Sequence, residues 1–153
     1  MDINKISSLV NEALLENESL FLIDLSVSLD NKIKVTVDGD NGVSLKECIR
    51  ISRNVEHNLD REEEDFSLEV TTPDISHPLK LIRQYKKNIN RTLKVKTEKE
   101  NFEGVLESAD EKEIHLKWKV REPKPIGKGK VTVEKKANIA YSEIKEAKVK
   151  IVF

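Results

Sequence analysis

The chain has 153 residues, 36% of them charged, 37% hydrophobic and 5% aromatic, which suits two small domains with modest cores better than one large core. The formal net charge of −1 hides two halves of opposite sign, with 7 Lys/Arg against 17 Asp/Glu from Met1 to Ser76 and 20 against 11 from His77 to Phe153. A single cysteine, Cys48, excludes an internal disulfide, no apolar run nears the ~20 residues of a membrane helix, and no secretory leader is expected, so the sequence predicts a cytoplasmic protein with no membrane contact.

Asp2 is placed to cap a helix whose apolar positions Ile3, Ile6, Val10, Ala13 and Leu14 recur at helical spacing. The period then falls to two. Phe21, Ile23, Leu25, Val27 and Leu29 are expected on one face of a strand, with Asp24, Ser26 and Ser28 on the other. Asp30 and Asn31 tolerate a left-handed backbone and suit a tight turn into a second strand, with Ile33, Val35 and Val37 inward. After the break at Asp38–Gly42, Ser44 and Glu47 form the S-x-x-E pattern of a capping box. Leu45, Cys48, Ser52, Val55 and Leu59 are predicted to line the buried face of the helix that follows, bordered by Ile49 and Ile51. An acidic turn, residues 60–65, precedes a strand through Phe66, Leu68 and Val70. The first domain, residues 1–78, therefore reads α-β-β-α-β: two helices on one face of a three-stranded sheet, an α+β layer.

Pro73 and Pro78 interrupt regular structure at the seam where the charge changes sign. A short helix is expected from Lys80 to Ile89, with Leu81, Ile82, Tyr85 and Ile89 packing inward. Strand patterns follow at Leu93/Val95, Phe102/Gly104/Leu106, Ile114/Leu116/Trp118, Val131/Val133 and Val149/Ile151/Phe153. Five short strands separated by turns predict a small closed β-barrel over residues 79–153, because closure removes exposed edges. Gly104 is expected to mark a bend in it.

The seam, Thr71-Thr72-Pro73-Asp74-Ile75-Ser76-His77-Pro78-Leu79, resembles the S-S-P-G-(L/I)-D-R-P-L signature of the RimP ribosome maturation factors. Val43-Ser44-Leu45-Lys46-Glu47-Cys48 resembles that family's V-(T/S)-L-x-x-C. Tyr85 to Arg91 is similar to its (F/Y)-x-x-x-(I/V)-G-R, with Asn90 at the glycine, and Phe102-Glu103-Gly104-Val105-Leu106 is similar to its F-x-G-x-L. Together the motifs span nearly the whole chain in order. The resemblance implies an α+β domain followed by an Sm-like (SH3-type) barrel, and a non-enzymatic factor in late maturation of the small ribosomal subunit. It also implies that the partners are the immature small subunit and the small-subunit ribosomal protein S twelve. Two positions depart from the motif. Asp74 replaces a glycine, and Asp is a residue type that accepts a left-handed backbone; His77 replaces an arginine and loses its permanent charge. Gly104, Leu106 and Asp110 fit the first Sm motif, while the later R-G signature is missing.

Catalytic chemistry finds no constellation, and none is predicted. Cys48 lies on an apolar helix stripe, and His57, His77 and His115 are far apart with no His or Cys at ligand spacing, so neither a metal nor a cofactor is expected. Gly127-Lys128-Gly129-Lys130 is too short for a phosphate loop and suits a turn. Binding chemistry is better represented. Lys80, Arg83, Lys86, Lys87 and Arg91 form one basic cluster, and Lys117, Lys119, Arg121, Lys124, Lys128 and Lys130 form a second; both are candidates for ribosomal RNA or the subunit. Glu62, Glu63, Glu64 and Asp65 are the candidate surface for a basic ribosomal protein. The expected protein is a monomeric assembly factor. The alternative is an Sm-like regulator of messenger or small RNA, acting as an oligomeric ring.

Overall fold

Asp2 starts the first helix as its position predicts, its carboxylate accepting the Asn4 N–H at 2.9 Å. The computed structural model describes residues 1–151, so Val152 and Phe153, the latter expected in the last strand, lie outside the described residues. The chain divides into two compact units, Met1–Asp74 and Ile75–Phe153.

In the first unit, α1 (Ile3–Leu14) buries Ile6, Val10 and Ala13. Strands β1 (Leu20–Val27) and β2 (Lys32–Gly39) form the expected antiparallel hairpin, turned by Asn31 at φ 58°, which donates its N–H to the Ser28 carbonyl at 3.0 Å. Ile33, Val35 and Val37 are fully buried, but β1 departs from strict alternation. A bulge at Ile23 resets its register, so that Leu22, Leu25 and Val27 lie opposite Val37, Val35 and Ile33 and pack on the core. Ile23 is therefore not on the core face, and Leu29, in the turn, is wholly exposed.

Helix α2 (Leu45–Glu56) connects β2 to β3 (Ser67–Thr71), which pairs with β2 in parallel and gives the order β1-β2-β3. A parallel neighbour needs such a crossover. Ser44 Oγ accepts the Glu47 N–H at 3.2 Å, but the reciprocal half of the capping box is not made. The Glu47 carboxylate turns instead to Arg50, whose guanidinium also reaches the Ala13 carbonyl and Glu16, both at 2.7 Å, and so ties the two helices together. The core face of α2 is centred on Ile51 and Val55, both fully buried, while Leu45 is 76% exposed and Ile49 is also exposed. The packed stripe is thus rotated from the expected one, because Arg50 and Asn54 (its amide donating to the Leu9 carbonyl at 2.7 Å) fix which side faces α1.

The second unit opens with α3 (Ile82–Lys87), shorter than the ten residues expected. Gln84, itself buried, begins it by accepting the N–H groups of Lys80 and Leu81 at 2.7 and 3.0 Å, a role a capping side chain normally fills. Asn90 ends the segment at φ 78°, its N–H donating to the Leu106 carbonyl at 2.8 Å. The family glycine is thus replaced at a position where the backbone is left-handed and where Asn costs less than most residues. Asp74, by contrast, does not take up a left-handed conformation.

Strands β4 (Thr92–Thr97), β5 (Asn101–Ala109), β6 (Glu113–Pro123), β7 (Lys130–Ala140) and β8 (Ile144–Val149) form one antiparallel sheet in the order β7-β6-β5-β4-β8. The expected closed barrel is not found: among the described residues β7 and β8 do not pair with each other, and each borders a single strand. Nor are β6 and β7 the short strands expected. They run eleven residues each and remain paired from Glu113/Ala140 to Pro123/Lys130. Buried side chains on this ribbon stop at Leu116 and Ile139, so Val131 is exposed and outside the core, as is Ile151. Trp118 stays at the core margin, edge-on to Phe102 with ring centroids 5.9 Å apart, which leaves its ring a packing role. Gly104 serves close approach: a Cβ there would stand 2.8 Å from the Lys117 carbonyl oxygen on the neighbouring strand.

The rotation of α2 gives a direct test. Ile51→Ala is expected to lower unfolding stability by about 2–5 kcal/mol, whereas Leu45→Ala changes it by less than about 0.5 kcal/mol. Urea denaturation of both variants checks this, and equal losses would restore the face expected from sequence.

Candidate nucleic-acid and protein-binding surfaces

The two basic clusters differ in what their charges already touch. On α3 and its flanks, Lys86 Nζ lies 3.0 Å from Glu111 and Arg91 donates to Asn88 Oδ1 at 3.2 Å. Arg83 and Lys87 also have partners. Among the described residues, the Lys80 ammonium makes no ion pair or hydrogen bond. On the β6–β7 ribbon the balance is reversed. Lys117 reaches Glu107 at 3.5 Å and Lys135 reaches Glu122 at 3.0 Å. Among the described residues, Lys119, Arg121, Lys124, Lys128, Lys130 and Lys136 make no ion pair at all. The ladder places Glu134 across from Lys119, and it sets Lys117 and Lys136 directly opposite each other, an arrangement of like charges that is mildly destabilising. Lys124 and Lys128 sit in the loop closing the ribbon, where the Lys124 N–H donates to the Gly129 carbonyl at 3.1 Å. Gly127 and Gly129 take φ of 89° and 96° in the expected turn.

The acidic turn is also partly committed. Glu64 receives the Met1 amine at 3.2 Å, and Asp65 receives Arg61 at 3.3 Å. Asn31 donates to the Asp65 carbonyl at 3.2 Å, so these two residues brace the β1–β2 turn. Arg61 also lies over the Phe66 ring, 4.2 Å from its centroid. The carboxylates of Glu62 and Glu63 remain, exposed and, among the described residues, without an ion pair. At the seam, Thr71 ends β3, and Thr72, Pro73, Asp74, His77 and Pro78 lie outside regular structure. Asp74 and His77 have partners, and the Leu79 N–H donates to the Ala147 carbonyl of β8 at 2.7 Å.

With these surfaces located, the comparisons decide the family. The model of the RimP N-terminal domain matches residues 9–76. A protein called ribosome maturation factor RimP from Christiangramia forsetii is 59% identical over 149 residues, 97% of this chain and 97% of its own length. The chain belongs to the RimP family of ribosome maturation factors. A RimP from Flavobacterium psychrophilum is 53% identical with 97% of each chain covered, and one from Porphyromonas gingivalis is 33% identical over 96% of this chain and 97% of its own. Both charged units of this RimP chain therefore fall inside the matched length.

Two groups, Cys48 and Tyr85, are held in their protonated forms. Burial first, and the Glu47 charge second, push the half-buried Cys48 thiol up, so little thiolate forms near neutrality. Tyr85, 3% exposed and edge-on to Tyr141 at 5.1 Å, is pushed up to about 12 by burial and stays protonated.

One cluster escaped the search for paired histidines. Asp110, Glu113 and His115 bring ligand atoms within 4.8 Å of one another, because the β5–β6 turn folds a D-x-x-E-x-H sequence onto itself. Asp110 Oδ1 already accepts the Lys112 and Glu113 N–H groups, both at 2.8 Å. His115 Nδ1 lies 2.6 Å from Asn138 Oδ1 and Nε2 lies 3.3 Å from Asp110 Oδ2. An imidazolium satisfies both contacts, and the hydrogen bonds to Asn138 and Asp110 hold the His115 pKa above its ordinary value. A histidine raised in the folded state contributes stability that is complete below the unfolded value near 6.5 and fades as pH rises through the folded one. Followed by NMR, the His115 ring is expected to titrate above a free histidine, and Asn138→Ala and Asp110→Asn should each move it down. An unshifted midpoint in both variants would remove the ion-pair assignment.

Proposed function

We propose that this chain is a non-catalytic assembly factor for the small ribosomal subunit, acting in the cytoplasm as a monomer. Its two proposed domains, residues 1–78 and 79–153, would contact different classes of component. The observation that carries this reading is relatives with the printed name ribosome maturation factor RimP over 97% of the chain, the first of them at 59% identity. Charge supports the division of labour: the first half has 7 Lys/Arg against 17 Asp/Glu, the second 20 against 11. An anionic surface accelerates encounter with a strongly basic ribosomal protein, for which S twelve is the proposed partner, and a cationic one with ribosomal RNA. Binding that favours one arrangement of protein and RNA shifts the subunit toward it without any covalent step. We read the five-stranded sheet as Sm-like, on family membership and on Gly104, Leu106 and Asp110.

Sedimentation of a cell extract tests the role: the chain is expected to travel with free small subunits, and exclusive recovery in the soluble fraction at low salt would reject it. Charge substitutions test the surfaces. Changing Lys119, Arg121 and Lys130 to Gln should lower the slope of log affinity against log salt by roughly 2, since each neutralised phosphate contributes about 0.7–0.9. Lys86→Gln with Arg91→Gln should do less, because those cations are already engaged. An unchanged slope in the first variant counts against the RNA surface. For the acidic unit, Glu62→Lys with Glu63→Lys should slow capture of purified S twelve at low salt, and an unaltered association rate would remove that partner surface.

A further inference from the structure

The tip of the β6–β7 ribbon carries a feature that charge does not explain. From Lys119/Glu134 to Pro123/Lys130 the two strands run beyond the last buried side chains for roughly 15 Å. Side chains alternate along them. One face presents Lys119, Arg121, Lys130 and Lys136 with Glu134 among them, and the other presents Val120, Val131 and Val133 beside the Lys135–Glu122 pair. At the end, Pro125 and Ile126 protrude between Lys124 and Lys128, and Ile126 is 90% exposed. The loop that holds them is closed by the Lys124–Gly129 hydrogen bond, Gly127 and Gly129 supply its left-handed turns, and the proline ring fixes φ at Pro125.

A branched aliphatic side chain fixed at the end of a ribbon, with no core beneath it, gains free energy only when something else covers it. The surroundings indicate what. Residues 117–136 hold eight Lys/Arg against two Glu, and six of those cations make no ion pair among the described residues, although Glu134 stands across from Lys119. We infer that the ribbon is an RNA-inserting arm: Lys119, Arg121 and Lys130 follow the phosphate backbone while Pro125 and Ile126 wedge into an unstacked or bulged base step. Apolar residues flanked by cations suit this use, since unstacking is offset by burial of the wedge and by the extra phosphate contacts it permits. A helix interrupted by a bulge is the favoured target because its bases are already partly unstacked. The inference rests on the RNA-facing reading of the second unit and adds the element, the target class and the inserting residue.

The test uses the full chain and two RNA hairpins, one fully paired and one with a single-nucleotide bulge next to a 2-aminopurine. The wild type is expected to prefer the bulged hairpin and to raise 2-aminopurine fluorescence as the step opens. Ile126→Ser should weaken binding to the bulged hairpin by about tenfold, the size expected for losing one buried branched side chain, and abolish the fluorescence rise. Ile126→Leu should restore both. Because the tip lies off the core, circular dichroism and the thermal midpoint should match the wild type in every variant. If Ile126→Ser binds and fluoresces like the wild type while the Lys119, Arg121 and Lys130 to Gln variant weakens, the ribbon rides on RNA without a wedge and the inference is overturned. If the Gln variant is also unaffected, the RNA-facing reading fails with it. Loss of S twelve binding by Ile126→Ser with RNA binding intact would make the tip a protein contact and overturn the inference as well.

Discussion

A β-strand needs a partner for its backbone and, separately, a core beneath one of its faces. In β6 and β7 these two needs come apart. Backbone pairing continues for eleven residues, while side-chain burial ends at Leu116 and Ile139. Within the core, Ile114 and Leu116 hold β6 against β5, and Gly104 allows the close approach that lets Trp118 lie on that strand. Beyond it, the ribbon is held by its own hydrogen bonds and by cross-strand neighbours, each worth a fraction of a kcal/mol. Among the described residues β7 pairs only with β6 and β8 only with β4, and the sheet stays unclosed.

Charge is distributed by a similar division between internal and outward use. Exposed ion pairs such as Lys86–Glu111 add little stability, on the order of 0–1 kcal/mol, but they do cancel charge locally. Cancellation touches Lys86 on α3, Arg50 between the first two helices, Lys117 and Lys135 on the ribbon, and half of the acidic turn, where Glu64 and Asp65 brace the β1–β2 hairpin. Among the described residues, Lys119, Arg121, Lys124, Lys128, Lys130 and Lys136 of the ribbon and the carboxylates of Glu62 and Glu63 are left without an ion pair. A count of Lys and Arg along the sequence weights the two basic clusters almost equally; their partners separate them.

The sequence was most legible where one physical rule acted alone. Alternation placed Ile33, Val35 and Val37 in the core, Asp2 and Ser44 marked helix starts through their side-chain oxygens, and Asn31 marked the hairpin turn through its tolerance of positive φ. Misplacements arose where tertiary contacts chose between options the pattern left equal. A bulge at Ile23 changes which residues of β1 face inward without altering their composition. On α2, Leu45 and Ile51 are equally apolar, and the bonds of Arg50 and Asn54 to α1 decide which is buried. Val131 and Val133 alternate in the same way whether or not a core lies beneath them. The Asp110–Glu113–His115 cluster was missed because three different residue types carry it and only the turn brings them together. In the candidate site, the basic residues were legible as types, and which of them are engaged by internal partners was not.

Cys48 offers a practical consequence. It is the sole thiol in the chain, half covered, with its acidity suppressed by burial and by the neighbouring Glu47 carboxylate. A cysteine introduced at the solvent-exposed end of the ribbon would react with maleimide dyes well ahead of it, without first stripping the native sulfur from the protein. The polypeptide thus comes almost ready for site-selective fluorophore attachment, and an optical reporter placed there could time the arrival and departure of this factor on single assembling particles.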